Sequence, residues 1–412
     1  MNLKDELQAR GLLQDYTNDI EDVLNNSKPT FYIGADPTSD SLHVGNLVGL
    51  ITARRLAKAG LKPILIVGGG TGRIGDPKPN AERALLDEKT IKTNIKKIRQ
   101  QVAHILDRKD LLVVDNNDWL GKLKYIDFLR DIGKHFTVNN LIKKDAIAAR
   151  LKSDIGLSYT EFAYPLLQAY DYLELFRRYN CRLQIGGSDQ WGNIIAGVDL
   201  IRRKEEVSVS AFTFPLLVDK STGKKFGKTE GNAVWLSAEK MSPYKFYQFF
   251  INTSDSLVEE LLKKLTFISL QEIQQIILEH KKAPQKREAQ RILAFEVTKI
   301  VHSETSAKEA KALSDVLFYG GDINSLSKFD IKLLLKEAPT FKVKPDYALI
   351  DVLKDSELVN SKKEARRMIE SNAILLGEER VMDVEYRLQK TDFTNSVALL
   401  KKGKKDFIIL VI

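Results

Sequence analysis

The sequence predicts a doubly wound parallel α/β sheet, followed by an α-helical domain and a small α+β C-terminal module. Three observations carry this. In the first half, short apolar runs rich in β-branched residues alternate with stretches of helical periodicity, the pattern of strands joined by crossover helices. These runs lead into clusters of Gly, Pro, Ser, Thr or Asp, where a strand stops. Beyond residue 242 the periodicity turns mostly helical, and strand patterns return only near the end.

Residues 30–35 (TFYIGA) read as the first strand, and Pro37 with the polar residues around it breaks that strand before 47–59 takes helical spacing and stops at Gly60. Residues 62–67 (KPILIV) form a second strand running into GGGTGRIGDP, and 111–115 (LLVVD) a third. A long helix spans 159–179, with Tyr164, Gln168 and Asp171 at i, i+4 and i+7 on one face. Residues 182–185 are a further strand, and the helix 189–203 is opened by Gly-Gly-Ser, a start suited to an anion or a ribose. Helices then follow in SPYKFYQFFIN, VEELLKKL, QEIQQIILEH and around 286–302. Gly320, Gly321 and APTFKVKP, ending at Pro345, read as a linker. The last part reads as two short helices with strands around AILLG and DFIILVI. The expected domains are therefore 1–220 for the sheet, 221–320 for a lysine-bearing loop and helical domain, 321–345 for the linker and 346–412 for the module.

Composition narrows the class. With 43% hydrophobic and 29% charged residues the 412-residue chain is that of a soluble globular protein of two or three domains. No apolar run nears the roughly 20 residues a membrane helix needs, so no membrane span is expected. Residues 1–24 read as an amphipathic helix rather than a secretion signal. The single cysteine, Cys181, allows neither an internal disulfide nor a cysteine-based zinc site, which fits a reducing cytoplasm. A net charge of +9 is compatible with a polyanionic partner and equally with a solvated basic surface.

Four motifs carry chemistry. HVGN at 43–46 opens a helix directly after the first strand, where free amide N–H groups and the helix dipole favour phosphate. His43 can donate to phosphate oxygens, Gly45 lets the backbone approach a nucleotide, and Asn46 offers an N–H pair. KFGKT at 225–229 sets two lysines three apart in a glycine-containing loop, which in isolation is an ordinary solvated turn. QAYD at 168–171 and GGSDQ at 186–190 complete the set.

Taken in their order along the chain, the motifs resemble the bacterial-type tyrosyl-tRNA synthetases, class I aminoacyl-tRNA synthetases whose two ATP motifs are usually written HIGH and KMSKS. The resemblance spans nearly the whole chain. It implies a Rossmann-like catalytic domain that activates L-tyrosine with ATP and passes it to tRNA(Tyr). It also implies Mg2+ brought by ATP, no permanently bound cofactor, no dedicated metal site, and a homodimer whose interface includes 128–143. Among the site residues, it implies that Lys225, Lys228 and Thr229 meet the leaving pyrophosphate and that His43, Asn46 and Thr38 belong to the same catalytic set. Gly34, Gly45, Gly187 and Asp189 would hold ATP with His43, Asn46 and Lys228. Tyr32, at the strand end, and Asp171 would hold the phenolic hydroxyl. Tyr164 and Gln168 would grip the ammonium with Asp76 as counter-charge, Gln190 would lie beside the carboxylate and Asp36 against the reacting groups.

Two positions depart from the family pattern: Asn46 replaces the second histidine, and Ile33 stands where some relatives carry a small polar residue. The segment 361–383 places Lys362, Arg366 and Arg367 within about one helical turn and resembles an RNA-binding module named after a small-subunit ribosomal protein. KKGKK at 401–405 is a second basic cluster. Three rival readings are a tryptophanyl enzyme, a catalytically silent RNA-binding relative and a nucleotidyltransferase of the same fold. Tyr32 with Asp171 favours a phenol over an indole, intact motif lysines disfavour the silent relative, and the RNA-type module disfavours the nucleotidyltransferase.

Overall fold

The computed structural model describes residues 1–76, 86–152, 156–218, 226–229, 232–403 and 406–412, with the backbone alone at 145, 146, 228, 229 and 232. The chain divides into two compact units, residues 1–241 with 253–289, and residues 242–252 with 290–412.

The first unit is built on five strands: β1 (Thr30–Ala35), β2 (Lys62–Val67), β3 (Leu112–Asp115), β4 (Cys181–Gly187) and β5 (Ser210–Phe214). They are parallel throughout, in the order β3-β2-β1-β4-β5. A parallel sheet is covered on both faces, so its strands read as unbroken apolar runs; β2 is buried from Pro63 to Val67. The chain winds outward from β1 to β3, then returns beside β1 and winds the other way. This reversal opens a crevice at the C-terminal ends of β1 and β4, where a doubly wound sheet receives its ligand.

The pleat sends Tyr32 and Ile33 to opposite faces. Tyr32 joins Ile64, Ile66 and Val114 in a core closed by Leu166, Ala169, Tyr172 and Leu173 of the helix Tyr159–Tyr179. On the other face the helix Val44–Lys58 packs through Gly49, where a Cβ would come within 2.6 Å of the Phe214 ring and 3.1 Å of Ile33. That helix begins three residues before the predicted 47, because His43 and Asn46 form a capping box around its first turn. The predicted 189–203 helix is the helix Trp191–Glu205, preceded by a 3-10 turn at Ser188–Gln190.

The single N-terminal helix expected over residues 1–24 is not formed. The helix Leu3–Ala9 ends before Gly11, which has a φ of 67°. The chain then pairs with β5, Gln14 N–H donating to Thr213 O at 2.8 Å and Thr213 N–H to Asp15 O at 2.7 Å. The open edge of β5 requires hydrogen-bond partners, and this segment supplies them. Two short strands, β6 (Lys228–Thr229) and β7 (Asn232–Ala233), pair antiparallel beyond the sheet. The helices Asp255–Leu265 and Leu270–Lys282 also belong to this unit: Arg10 donates to Lys263 O at 3.1 Å and Ile268 O at 2.8 Å.

The second unit holds the helices Pro243–Ile251 and Glu304–Phe318, most of Glu288–Val301, and a five-stranded sheet. The helices expected as one domain over 221–320 are thus distributed over both units. The linker expected at 321–345 holds the helix Lys328–Glu337 and the strand β8 (Thr340–Lys342). Ser327 and Asp330 start that helix with a capping box, and Ile331 and Leu334 bury its inner face. The sheet order is β10-β9-β11-β12-β8, with β9 (Ile374–Leu376), β10 (Glu379–Arg380), β11 (Val397–Lys402) and β12 (Asp406–Val411). Helices Leu349–Asp355 and Lys362–Glu370 close its core through Leu349, Leu353, Ala365 and Ile369. Among the described residues no helix is long and apolar enough to cross a membrane.

Candidate active site

The crevice is a cavity of about 340 Å³, within the range that encloses small ligands. The structure brings together at its lining Tyr32, Gly34, Asp36, His43, Gly45, Asn46, Asp76, Tyr164, Gln168, Asp171, Gly187, Asp189 and Gln190. Thr38 stands apart, exposed in the turn after β1, its N–H donating to Asp36 O at 2.8 Å. Lys225 lies outside the described residues, as do the side chains of Lys228 and Thr229.

The floor is built from burial. Tyr32 is mid-strand, paired with Ile64, rather than at the strand end, since β1 continues to Ala35. Its hydroxyl is buried with no partner among the described residues, and burial holds the phenol well above its ordinary pKa, so it is a neutral donor and acceptor. Asp171 faces the same cavity. Its carboxylate accepts from Trp119 Nε1 at 2.7 Å and from Asn116 Nδ2 at 2.9 Å. Burial pushes Asp171 up to about 7, against the downward pull of these two donors.

One side of the cavity is acidic. Asp36 accepts from Tyr164 Oη at 3.0 Å and from Thr71 Oγ1 at 3.2 Å. Because that proton points at Asp36, the Tyr164 oxygen presents a lone pair to the cavity. Asp76 accepts from Gln190 Nε2 at 2.9 Å. Gln168 Oε1 is buried without a partner among the described residues. Acceptors held by carboxylates suit a small cation such as an ammonium.

The start of the helix Val44–Lys58, also at the lining, can receive an anion. His43 caps the helix Val44–Lys58, its Nδ1 accepting from Gly45 N–H at 3.1 Å, so the neutral ring carries its proton on Nε2. Asn46 Oδ1 accepts from His43 N–H at 3.1 Å, which leaves the amide NH2 of Asn46 to donate. Asn46 therefore combines a structural cap with a donor. Phe226 and Gly227 of the lysine motif also line the cavity. Gly227 has a φ of 88°, and a Cβ there would lie 3.1 Å from that of Val44, so close approach of the two motifs needs glycine. The segment after β7 is tied down: Val44 N–H donates to Val234 O at 2.8 Å and Leu236 N–H to Leu42 O at 2.9 Å. Lys240 meets Asp40 at 2.6 Å, and this contact and Lys97 hold the Asp40 carboxyl down to about 2.

Sequence reasoning missed Asn116, Trp119 and Thr71. Asn116 is the hub: its amide donates to Asp171 and Thr71, and its carbonyl accepts Gly70 N–H at 2.8 Å. The signal was available in LVVDNNDW, a polar cluster at the C-terminal end of a parallel strand, where ligand-binding residues gather. The GGG run earns its glycines as well, since a Cβ at Gly68 or Gly69 would collide with the carboxylates of Asp36 or Asp115.

In the second unit Lys362, Arg366 and Arg367 are exposed on one short helix. The Lys362 ammonium is engaged with Asp351 at 2.5 Å. Of the second basic cluster, Lys401 donates to Val316 O at 3.1 Å and Lys402 to Leu358 O at 2.6 Å, so both secure the fold; Lys404 and Lys405 lie outside the described residues.

The model of the family described as tRNA synthetases class I (W and Y) matches residues 24–319, and that of the tyrosine–tRNA ligase SYY-like C-terminal domain matches residues 330–410. The chain is 45% identical to the tyrosine–tRNA ligase of Streptococcus agalactiae serotype V, covering 100% of this chain and 99% of the relative. It is also 45% identical to tyrosine–tRNA ligase 1 of Bacillus subtilis, covering 99% of both. Among solved structures, a C-terminally truncated Aspergillus nidulans mitochondrial tyrosyl-tRNA synthetase superposes with a TM-score of 0.68 at 29% identity, covering 75% of this chain and 92% of that one. Plasmodium falciparum tryptophanyl-tRNA synthetase shares the fold at a TM-score of 0.54 and 15% identity, covering 79% of this chain and 86% of that one.

Proposed function

Because the chain belongs to the tyrosine–tRNA ligases, class I tRNA synthetases, we propose that its cavity holds tyrosine and ATP side by side and that each lining residue takes the part its geometry suits. The enzyme charges tRNA with tyrosine. The tyrosine carboxylate attacks the α-phosphorus of ATP and pyrophosphate leaves. A ribose hydroxyl of the 3'-terminal adenosine of tRNA(Tyr) then takes the tyrosyl group and AMP leaves. Neither step requires a protein nucleophile, so the protein's task is alignment and stabilisation of charge spreading onto the leaving phosphates.

The phenolic hydroxyl of tyrosine donates to Asp171 and accepts from Tyr32. Its ammonium lies against the Tyr164 oxygen, Gln168 Oε1 and Asp76, with Gln190 beside the carboxylate. His43 Nε2 and the Asn46 amide donate to the phosphates, Gly45 and Gly34 admit the nucleotide, Gly187 and Asp189 meet the ribose, and Lys225, Lys228 and Thr229 close on the pyrophosphate. Mg2+ enters with ATP as its counter-ion. Arg366 and Arg367, exposed on their helix, contact tRNA. A homodimer is supported by Tyr125, Ile126 and Val138, apolar side chains that keep 61%, 69% and 61% of their surface on and beside the stretch 128–143, whereas Phe128 and Leu141 are core residues. A dimer in sedimentation at micromolar concentration is the expected result. The lone buried Cys181 and the bacterial relatives support a cytoplasmic location.

The observation that carries this reading is the Tyr32 hydroxyl beside Asp171, without a partner among the described residues, in the same cavity as the capped helix start. A phenol satisfies both groups. An indole N–H satisfies Asp171 alone, and phenylalanine neither. Pyrophosphate exchange into ATP, measured with tyrosine, phenylalanine and tryptophan in turn, tests it: exchange with tyrosine alone is expected, and equal exchange with tryptophan would overturn the assignment of the pocket.

A further inference from the structure

The helix Lys328–Glu337 lies in a stretch that reads as linker, yet it is capped, partly buried and asymmetric in charge. Ile331 and Leu334 are its buried side. At 100° per residue, Lys328, Lys332, Lys336 and Phe329 fall within a sector of about 100° on the opposite side. All three lysines are exposed, and Phe329 keeps 61% of its surface. The helix's own carboxylates are turned elsewhere: Asp330 accepts from Ser327 N–H at 2.9 Å and Ser327 Oγ at 2.6 Å, and Glu337 lies 3.9 Å from Lys245 Nζ. The presented face is therefore cationic with an aromatic at its edge. The strand that follows adds exposed Lys342.

We propose that this face of the helix Lys328–Glu337 is a second RNA-binding surface, its lysines meeting backbone phosphates of tRNA and Phe329 stacking on an unpaired base. The inference rests on the reading of the C-terminal part as the tRNA-holding module and extends it to a helix that the sequence did not assign to it. Charge complementarity names the partner. Lysines at i, i+4 and i+8 rise about 6 Å apart along the axis, close to the spacing of successive phosphates along a nucleic-acid strand. An exposed aromatic beside them has a use on single-stranded RNA, where stacking is tolerant of sequence, that it lacks as a solvated side chain. The cations on β11 point inward to carbonyls and Lys362 to Asp351, which leaves this face among the most accessible basic ones of the unit.

The test uses the full chain and a fluorescently labelled tRNA(Tyr) transcript that it charges, with binding measured by anisotropy from low to moderate salt. The combined Lys328→Gln, Lys332→Gln, Lys336→Gln variant is expected to reduce the slope of log affinity against log salt by about 2 to 3. Phe329→Ala is expected to weaken binding about 5- to 100-fold at unchanged slope. Both should retain parental pyrophosphate exchange, since tRNA takes no part in that step. An Arg366→Gln, Arg367→Gln variant is measured alongside. Parental slope and affinity in the helix variants, with weakened binding in the arginine variant, overturn the inference and leave the module reading intact. Parental binding in all of them overturns the module reading and the inference with it.

Discussion

Trp119 donates its indole N–H to Asp171 at 2.7 Å, from a short helix after β3 to the long helix that covers the sheet. The bond fixes one carboxylate oxygen, and Asn116 fixes the other at 2.9 Å. The remaining lone pairs of Asp171 are thereby aimed rather than merely present, which is what a pocket needs to tell a hydroxyl from a hydrogen.

Trp119→Phe keeps the ring and removes the donor. A hydrogen bond to a charged group contributes about 1.5 to 3 kcal/mol, so KM for tyrosine in pyrophosphate exchange should rise about 10- to 100-fold while KM for ATP stays near the parental value. Equal rises in both would assign Trp119 to folding of the whole site instead.

The Asp171 carboxyl sits at about 7 in the fold, raised first by burial. Its ordinary value is near 4. Between those values the folded chain holds a proton that the unfolded chain has released, so this group's contribution to stability is complete below about pH 4 and is lost as pH rises through 7. About three pKa units correspond to about 4 kcal/mol across that window. Thermal unfolding of the ligand-free protein should show the loss between about pH 4 and pH 7, and Asp171→Asn should flatten that part of the profile. An unchanged profile in the variant would show that Asp171 is ionised throughout.

How much of this was legible beforehand depended on the range of the interaction. The limits of β1, β2 and the helix Tyr159–Tyr179 follow from periodicity and punctuation, which are local, and they agree with the structure residue for residue. The start of the helix Val44–Lys58 does not, because His43 and Asn46 cap it by side-chain bonds that periodicity does not register. The hub at Asn116 joins β3, the GGGT turn and Asp171, positions 45 and 55 residues apart, and no window on the sequence contains it. The supposed linker fails for a related reason: β8 pairs in parallel with β12, a partner some seventy positions downstream. That the motif residues gather at one cavity was legible because such motifs recur with their spacing; the residues that position them were not.

In the proposed arrangement Lys228 acts on the transition state more than on the ground state. Charge on the β- and γ-phosphates grows as the bond to the α-phosphorus breaks, and Gly227 brings the loop against the N-terminus of the HVGN helix, where the nucleotide is bound in the proposed arrangement. Lys228→Ala should lower kcat for exchange about 10²- to 10³-fold, with a smaller change in KM for ATP. Comparable changes in both would mean that Lys228 only holds the nucleotide.

Truncation separates the two half-reactions, and the structure decides where to cut. A cut at 345, where the sequence suggests a domain boundary, leaves β8 without its partner β12 and exposes an unpaired strand. A cut after Tyr319 removes the helix Lys328–Glu337 and the whole five-stranded sheet together, and keeps every residue that lines the cavity. The shortened chain should retain tyrosine-dependent pyrophosphate exchange within a few-fold of the parent and lose charging of tRNA(Tyr), because activation needs the cavity alone whereas charging needs the RNA held in place. Retained charging would locate the principal tRNA contacts within residues 1–319, and loss of exchange would show that the cavity depends on the C-terminal sheet for its geometry.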